Sequence, residues 1–242
     1  MNNTALITGS SKRVGRAVAE YLASKGWNIF IHYNSSVKYA RELENILEER
    51  YPEQKFSTIK ANLSDESEVE QLIPRVISET DSLDLLINNA SVFDKSYISE
   101  TGVALFNSQF NINLRAPFLL MRDFSKYAGK GNIINFADTR ITHNNSDYAA
   151  YSLSKKALWE LTKMAALEFS PGIRVNAIAP GLTLPPEGKD YEYLLKLAEK
   201  IPMKRPGGID QIIKSVEFIL ENDHLTGQLL FADGGENISR NS

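Results

Sequence analysis

Short apolar runs alternate along the chain with longer segments in which apolar residues recur at helical spacing. The short runs have the length of strands, and the longer segments have the period of amphipathic helices. The predicted strands are Thr4–Thr8, Asn28–Tyr33, Lys55–Lys60, Leu83–Asn88, Asn132–Phe136, Arg174–Ile178 and Gln228–Phe231. The predicted helices are Val14–Lys25, Val37–Glu49, Asp65–Glu79, Ala104–Tyr127, Tyr148–Phe169, Tyr191–Lys200 and Ile209–Glu221.

This regular β-α-β order predicts an α/β fold of the Rossmann type. We expect a doubly wound, seven-stranded parallel sheet with helices on both faces. The 242 residues contain no repeat, no low-complexity linker and no break in composition, so a single domain is predicted. The one irregular stretch, Gly181–Asp190, contains Pro185, Pro186 and Gly188. It is predicted to be a loop that can cover a site.

Composition excludes several classes of protein. The net charge is −3, from 27 basic and 30 acidic residues, and no basic stripe is visible, so no nucleic-acid partner is predicted. The chain has no cysteine, which excludes disulfides and thiolate metal ligands, and we predict no metal site. No apolar stretch approaches the roughly 18 residues that span a bilayer, and the N-terminus lacks the features of a secretory signal. We expect a cytoplasmic protein without membrane association.

The first predicted strand leads directly into the glycine-containing segment Thr8–Gly15. Such a turn lets backbone N–H groups approach a pyrophosphate at a helix N-terminus, although capping alone also favours Gly and Ser there. The turn after the second strand, Tyr33–Ser36, has no carboxylate to bind the 2′-hydroxyl of an NAD ribose. Its hydroxyl and amide donors, with Arg13 nearby, favour a 2′-phosphate. The sequence therefore predicts NADPH rather than NADH.

A tyrosine and a lysine, Tyr151 and Lys155, are four positions apart in a predicted helix, so both project from one face. An ammonium close to a phenol favours the phenolate, and we expect it to lower the pKa of Tyr151. A surface Tyr–Lys pair would show the same spacing. Asp138 lies thirteen residues before Tyr151, just past a predicted strand. The three residues are predicted to meet at the carboxyl end of the sheet.

These features resemble the short-chain dehydrogenase/reductase family over essentially the whole chain. The resemblance implies one domain over residues 1–242, with a cofactor half over about 1–130 and a catalytic and substrate half over about 131–242. It also implies that Lys155 binds the nicotinamide ribose and that Asn113 holds a water in a proton relay. Asn62 stands where the family usually has an aspartate near adenine. The shared landmarks are Thr8-Gly9…Gly15, Asn88-Asn89-Ala90, Asn113, Tyr151-x-x-x-Lys155, Pro180-Gly181 and Asp233-Gly234-Gly235.

Three departures from the commonest pattern of the family point to a pterin substrate. Asp138 replaces a serine, and a carboxylate would repel the alkoxide formed when a ketone is reduced, whereas it can orient or relay the proton needed for a C=N bond. Arg13 replaces a glycine. Ser91 and Phe93 place a hydroxyl and an aromatic ring where a flat heterocycle could stack. Simpler interpretations are a capping Asp138, a core Phe93 and a solvated Arg13.

The same three positions are similar to the pteridine reductases and the bacterial dihydromonapterin reductases. This resemblance implies an NADPH-dependent reductase of dihydromonapterin, dihydrobiopterin or dihydrofolate, acting by hydride transfer to the ring C=N bond. In pteridine reductases the turn after the second strand binds the 2′-phosphate; here that turn, Asn34–Ser36, contains no arginine. Two alternatives remain open: a carbonyl reductase, for example of 3-oxoacyl thioesters, and a catalytically silent NADP-binding regulatory protein.

The predicted site comprises three sets of residues. The predicted catalytic residues are Asp138, Tyr151, Lys155 and Asn113. The predicted cofactor-binding residues are Gly9, Ser11, Lys12, Arg13, Val14, Gly15, Tyr33, Asn34, Ser35, Ser36, Asn62, Leu63, Asn89, Ala90, Ser91, Tyr151, Lys155, Pro180, Gly181 and Thr183. The predicted substrate-binding residues are Arg13, Ser91, Phe93, Asp138, Tyr151, Gly181 and Leu182.

Two long predicted helices, Ala104–Tyr127 and Tyr148–Phe169, bear on assembly. Members of the family usually pair through the corresponding helices, so the resemblance implies a homotetramer. The second helix is apolar on more than one face, which fits burial by both the sheet and a partner. A fully buried helix in a monomer would show the same pattern.

Overall fold

The computed structural model describes residues 2–144 and 146–239. Within these residues, seven parallel strands form one sheet in the order β3-β2-β1-β4-β5-β6-β7. The strands are β1 (Thr4–Ile7), β2 (Asn28–Tyr33), β3 (Phe56–Lys60), β4 (Leu85–Asn88), β5 (Gly131–Phe136), β6 (Ile173–Pro180) and β7 (Leu229–Ala232). The helices are α1 (Arg13–Ser24), α2 (Val37–Arg50), α3 (Glu66–Glu79), α4 (Val103–Phe110), α5 (Ala116–Tyr127), α6 (Ala149–Phe169), α7 (Tyr191–Ala198) and α8 (Gly208–Glu221). The predicted α/β class and doubly wound sheet are confirmed.

Apolar side chains cover both faces of the sheet. Residues of α3, α5 and α6 build the core on one face, and residues of α1, α2 and α8 build it on the other. In β1, Leu6 packs into the first core, whereas Ala5 and Ile7 pack into the second, and all three are fully buried. Successive strand residues point to opposite faces, so a strand covered on both sides is apolar throughout.

Most predicted elements occur with their ends shifted by one or two residues. The predicted helix Ala104–Tyr127 differs more, because its middle turn, Asn111–Arg115, is a π-helix between α4 and α5. A π turn contains one more residue than an α turn, and such turns occur frequently at functional sites. Apolar periodicity does not reveal a single wide turn inside a continuous helix. This turn carries Asn113, one of the predicted catalytic residues.

The order of the strands across the sheet reverses between β1 and β4, which lie side by side although β2 and β3 separate them in the chain. In open α/β sheets, the crevice outside the carboxyl ends of the strands at such a point is where ligands bind.

The longest helix, α6, has 21 residues. Among the described residues, none of the helices has both the length and the apolar character that would let it cross a membrane.

Candidate active site

A cleft of about 510 Å³ opens at the carboxyl ends of the central strands. Its walls come from the segments that follow β4, β5, β6 and β7, together with the start of α1 and the first turns of α6 and α7. This is the position that the reversal of strand order favours. The predicted site residues that line the cleft are Arg13, Val14, Asn89, Ser91, Phe93, Asp138, Tyr151, Lys155, Pro180, Gly181, Leu182 and Thr183.

Asp138 uses its two carboxylate oxygens differently. Oδ1 accepts a hydrogen bond from the backbone N–H of Arg140 at 2.8 Å and caps the short 3-10 turn Thr139–Thr142. Oδ2 accepts a hydrogen bond from the hydroxyl of Tyr151 at 2.6 Å. The capping interpretation therefore accounts for one oxygen only. The other oxygen joins Asp138 to Tyr151 inside the cleft.

Tyr151 is 5% exposed, and its environment favours the neutral phenol. Burial, followed by the charge of Asp138, raises the pKa of Tyr151 well above its usual value. The lowering of this pKa predicted from the spacing to Lys155 is wrong for this arrangement. The Nζ of Lys155 instead donates to the backbone carbonyl of Phe136 at 2.7 Å and lies 5.9 Å from the centroid of the Tyr151 ring. Tyr151 is thus a neutral phenol that donates its hydroxyl hydrogen to Asp138.

Lys155 is 2% exposed on α6. Burial lowers its pKa to about 8, and the carboxylate of Asp138 opposes that shift. Its hydrogen bond to Phe136 ties α6 to the last residue of β5. Asp138, Tyr151 and Lys155 therefore meet as predicted, at the junction of β5 and α6.

Asn113 lies behind the wall of the cleft and is fully buried. Its Oδ1 accepts from the backbone N–H of Val92 and from the hydroxyl of Ser91, both at 3.0 Å. Its Nδ2 donates to the carbonyl of Val92 at 3.0 Å, and contacts Gln109 and Ser154 at 3.2 Å. The amide thus clamps the segment that precedes Phe93. The water-relay role implied by the family resemblance remains a prediction.

An aromatic surface forms one wall beside the Asp138–Tyr151 pair. Phe93 stacks on Tyr148 with ring centroids 4.2 Å apart and an interplanar angle of 4°, and it meets the Tyr151 ring edge-on at 4.6 Å. The guanidinium of Arg140 lies 4.6 Å from the Tyr148 centroid. Phe93 is 49% exposed, so it is not a core residue. It offers an aromatic face to the cleft.

The turn between β1 and α1 fits the phosphates of a dinucleotide. Gly9 has φ 65, and a Cβ at Gly15 would lie 2.6 Å from both the Nδ2 of Asn89 and the carbonyl oxygen of Gly9. The N-terminus of α1 has no side-chain cap, so its N–H groups are available to an anion. His32 supports the turn, because its Nδ1 accepts from the N–H of Gly9 at 2.9 Å. Burial lowers the pKa of His32 to about 4, which keeps that nitrogen free to accept.

Arg13 begins α1 with φ 53, a left-handed conformation that costs a non-glycine residue about 1 kcal/mol. This geometry explains the glycine that the family usually has at this position. The side chain reaches across the cleft, and its Nη2 donates to the carbonyl of Pro185 at 3.0 Å. Arg13 therefore joins the turn between β1 and α1 to the loop after β6, and this loop is present as predicted.

The adenine end of the predicted site lies away from the cleft. Lys12 is held near the start of α2, with its Nζ 4.1 Å from the centroid of the Tyr39 ring. It supplies a positive charge near the turn Asn34–Ser36, which itself lacks an arginine. Asn62 uses its Oδ1 to accept from the N–H of Ser64 at 3.0 Å, so this amide oxygen closes a local turn. Leu63 is a buried residue of the core.

Sequence reasoning missed three cleft residues that carry chemistry, namely Arg140, Tyr148 and Glu236. Tyr148 stands three positions before Tyr151, so helical spacing could have indicated it. Glu236 directly follows the landmark Asp233-Gly234-Gly235. Burial, followed by the charges of Asp138 and Asp233, raises the pKa of Glu236 to about 6. The cleft therefore holds a second carboxyl group.

A family model described as enoyl-(acyl carrier protein) reductase, of the adh_short_C2 type, matches residues 9–237. The chain belongs to the short-chain dehydrogenase/reductase family. Among curated short-chain relatives, the 3-oxoacyl-[acyl-carrier-protein] reductase FabG of Staphylococcus epidermidis is 30% identical, over 97% of this chain and 99% of that protein. Glucose 1-dehydrogenase 2 of Bacillus subtilis is 29% identical, over 96% and 93%. The family predicted from the landmarks is confirmed.

The similar solved structures belong to proteins that are named for a different substrate from the curated relatives. FolM alternative dihydrofolate reductase 1 of Brucella canis, in complex with NADP, is 32% identical with a TM-score of 0.92, over 100% of this chain and 96% of that chain. The Brucella suis protein, also with NADP, is 32% identical with a TM-score of 0.93, over 100% and 97%. Both are similar to this chain over its full length.

Proposed function

We propose that the chain is an NADPH-dependent reductase of dihydropterins that acts on the ring C=N bond. The observation that carries this proposal is the hydrogen bond of 2.6 Å between the Asp138 carboxylate and the Tyr151 hydroxyl at the end of β5. The FolM structures, named as alternative dihydrofolate reductases with NADP, support it. Its substrates are dihydropterins such as dihydromonapterin, dihydrobiopterin and dihydrofolate.

Electrostatics separates this reaction from carbonyl reduction. A reduced ketone passes through an oxygen that gains negative charge, and two like charges about 4 Å apart repel by about 4 kcal/mol at an effective dielectric constant near 20. Asp138 would impose such a repulsion on the alkoxide. When a C=N bond is reduced, the nitrogen takes up a proton and no anion forms beside the carboxylate. Asp138 therefore favours the C=N substrate.

The proton is delivered to ring nitrogen N5 by the buried acid–base set. Tyr151 is a neutral phenol that shares its proton with Asp138, so the pair can pass a proton to a nitrogen placed against it. The ammonium of Lys155, 5.9 Å from the Tyr151 ring, offsets the negative charge that the pair acquires as the proton leaves. Phe93 provides the face on which a flat pterin ring can stack.

The residues around the first strand would hold the cofactor. The α1 N-terminus and the glycine turn would bind the pyrophosphate, Lys12 and the turn Asn34–Ser36 the 2′-phosphate, and Lys155 the nicotinamide ribose. When bound, NADPH supplies the hydride that adds to C6 of a 7,8-dihydropterin. The contact between Arg13 and Pro185 keeps the loop after β6 over the cleft and helps to exclude water.

The test is NADPH oxidation with a 7,8-dihydropterin, dihydrofolate and a 3-oxoacyl thioester in parallel. We expect turnover of the dihydropterins, and a loss of at least about 100-fold in kcat for Asp138→Ser, because a positioned acid–base group contributes roughly 10²–10⁴-fold. Asp81→Ser, in an exposed loop, is the matched control and should leave the rate unchanged. Full pterin turnover by Asp138→Ser, or turnover of the thioester alone, would refute the proposal.

A 3-oxoacyl thioester reductase is the second candidate, and the curated FabG relatives favour it. The catalytic tyrosine and lysine spacing serves that reaction equally well. The feature that opposes it is Asp138, which cannot donate a hydrogen bond to a developing alkoxide while it is ionised. The thioester arm of the same experiment decides between the two candidates.

We also propose that the chain forms a homotetramer, as the family resemblance implies. The interface would involve α4 and α6, where exposed apolar side chains border a groove of about 300 Å³. The groove residues are Ile98, Thr101, Val103, Phe106, Ala149, Ala150 and Leu153.

A further inference from the structure

The cleft contains a carboxyl group that the proposed mechanism does not use. Glu236 begins the short 3-10 turn Glu236–Ile238, and its side chain lines the same cleft as Asp138. The carboxyl group lies against the backbone at the end of β6, since a Cβ at Gly181 would be 3.0 Å from the Oε2 of Glu236. It is therefore placed where the loop after β6 leaves the sheet.

The backbone around Glu236 is fixed from two sides. Asp233 accepts from the N–H of Gly235 at 2.9 Å and from the N–H of Asn237 at 2.7 Å. Gly234 and Gly235 both have positive φ, and a Cβ on Gly235 would lie 2.9 Å from Pro202. Because the two bonds of Asp233 span Glu236, the position of this residue is set before any substrate binds.

More negative than positive charge acts on the carboxyl group of Glu236, and the Nε2 of His143 lies 3.3 Å from its backbone carbonyl oxygen. The charged groups that act on it are the carboxylates of Asp138 and Asp233 and the guanidinium of Arg140, and the hydroxyl of Thr139 also bonds to it. Arg140 is shared, because it lies over the Tyr148 ring and 4.0 Å from Asp147. A partly buried carboxylate that lacks a dedicated cation is costly, and such groups concentrate at functional sites.

The place of Glu236 relative to Asp138 indicates which part of a substrate it meets. The Asp138–Tyr151 pair fixes the position of ring nitrogen N5, and C6, the neighbouring ring atom, carries the substituent of the pterin. That substituent therefore leaves the ring beside the pair, and Glu236 lines the same cleft close enough to Asp138 for their charges to interact. A carboxylate accepts hydrogen bonds from hydroxyl groups and repels other anions.

We propose that Glu236 is a specificity-determining residue that accepts hydrogen bonds from hydroxyl groups on the C6 substituent, and so selects a polyhydroxylated dihydropterin over dihydrofolate. The substituent of dihydrofolate has an aryl ring and no hydroxyl group beside the pterin, so it would desolvate the Glu236 carboxylate without supplying those hydrogen bonds. This inference rests on the proposed function, since it assumes that a dihydropterin is the substrate. It also explains a preference for one dihydropterin over another. Asp138 and Tyr151 cannot explain this preference, because they act on the ring that all dihydropterins share.

The test compares KM and kcat for a trihydroxypropyl dihydropterin and for dihydrofolate in the wild type and in Glu236→Gln. We expect the substitution to raise KM about tenfold for the hydroxylated substrate and to lower KM severalfold for dihydrofolate. One charge-assisted interaction of this kind changes the affinity by about tenfold. The kcat values should stay within about threefold, since Glu236 does not take part in proton transfer. Glu221→Gln, exposed at the end of α8, is the matched control.

The outcomes separate this inference from the proposed function. If the wild type reduces both dihydropterins but Glu236→Gln leaves their kcat/KM ratio unchanged, only the role of Glu236 is overturned. An equal change in KM for both substrates also overturns it, because a selective contact must act on one more than the other. If the wild type reduces neither dihydropterin, both proposals fail. The NADPH dissociation constant, measured by fluorescence, should be the same in Glu236→Gln and shows that the variant is folded.

Discussion

At the scale of single residues, the chemistry of the cleft depends on which buried groups hold protons. Burial raises the pKa of Tyr151 well above its usual value and lowers the pKa of Lys155 to about 8. Both changes favour the uncharged form. At neutral pH, Tyr151 is therefore a phenol, while Lys155 still carries its charge but loses it within a short span of higher pH.

We predict that kcat/KM for a dihydropterin falls as pH rises through about 8. The pKa of Lys155 lies below the 10.5 of an ordinary lysine, so its ammonium is present below pH 8 and is lost above it. Without this charge, the Asp138–Tyr151 pair gives up its proton less readily. A pH–rate profile of the wild type measures this limb.

Two lysine variants assign that alkaline limb. Lys155→Met should reduce kcat/KM over the whole range and abolish the limb. Lys156→Met removes the neighbouring lysine, which bonds to Asn144 at 2.7 Å, and should preserve the limb. A wild-type profile that stays flat to about pH 10, or a limb that persists in Lys155→Met, would contradict the assignment.

The sequence allowed the predicted catalytic residues to be placed together but did not reveal their full environment. Asp138, Tyr151 and Lys155 could be predicted to meet, because strand ends and helical spacing are local properties. The direction of the Tyr151 pKa shift could not, since it depends on the burial of the phenol and on its contact with Asp138, which only the folded chain sets. Glu236 was missed because its contact with the end of β6 joins parts of the chain that are distant in sequence.

At the scale of elements, the wide turn Asn111–Arg115 links helix geometry to the site. It carries Asn113, whose amide pairs with both backbone groups of Val92. The helix around it was predicted from apolar spacing, but the extra residue of a π turn leaves that spacing almost unchanged. The structure therefore assigns Asn113 a contact that the sequence did not indicate, namely with the segment leading to Phe93.

We predict that Asn113→Ala lowers the free energy of unfolding by about 2–3 kcal/mol, because it removes a fully buried amide together with its two hydrogen bonds to the half-buried backbone of Val92. The release of the segment before Phe93 should also raise KM for the dihydropterin. Urea unfolding and steady-state kinetics measure the two effects. Asn107→Ala, on the exposed side of α4, is the control and should change stability by less than about 0.5 kcal/mol. If Asn113→Ala also changes the free energy of unfolding by less than about 0.5 kcal/mol, Asn113 does not hold the segment before Phe93 in place.

At the scale of the whole molecule, the doubly wound parallel sheet could be predicted because parallel βαβ units follow strict rules of handedness and connection. The sequence did not determine which helix faces are exposed. The apolar excess of α6 fitted either a partner or complete burial in a monomer. The structure decides against complete burial, because Leu153, Met164 and Leu167 of this helix are 50%, 67% and 84% exposed.

Leu153 borders the groove together with Ile98 and Val103, which are 81% and 76% exposed. Single exposed apolar residues are ordinary, but a contiguous set around a groove marks an interaction surface. A second copy of the chain is the occupant that the family resemblance implies, and pairing α4 and α6 across a twofold axis would cover the groove on both copies.

We predict that the double substitution Phe106→Glu and Leu153→Glu shifts the protein from an oligomer toward its 27.1 kDa monomer, because it places like charges in an apolar interface. Light scattering coupled to size-exclusion chromatography measures the mass. Val37→Glu, 51% exposed on α2, is the control and should leave the mass unchanged. A wild type that is itself monomeric at micromolar concentration would refute the interface.

The same surface connects assembly to catalysis. Ala149 and Ala150 line the groove, and the next residue, Tyr151, faces the cleft. A partner packed against the groove therefore fixes the first turn of α6, on which the position of the Tyr151 hydroxyl depends. The double variant should lose kcat in proportion to its monomer fraction and recover part of it as protein concentration rises. Full activity in a monomeric variant would show that the cleft is complete within one chain.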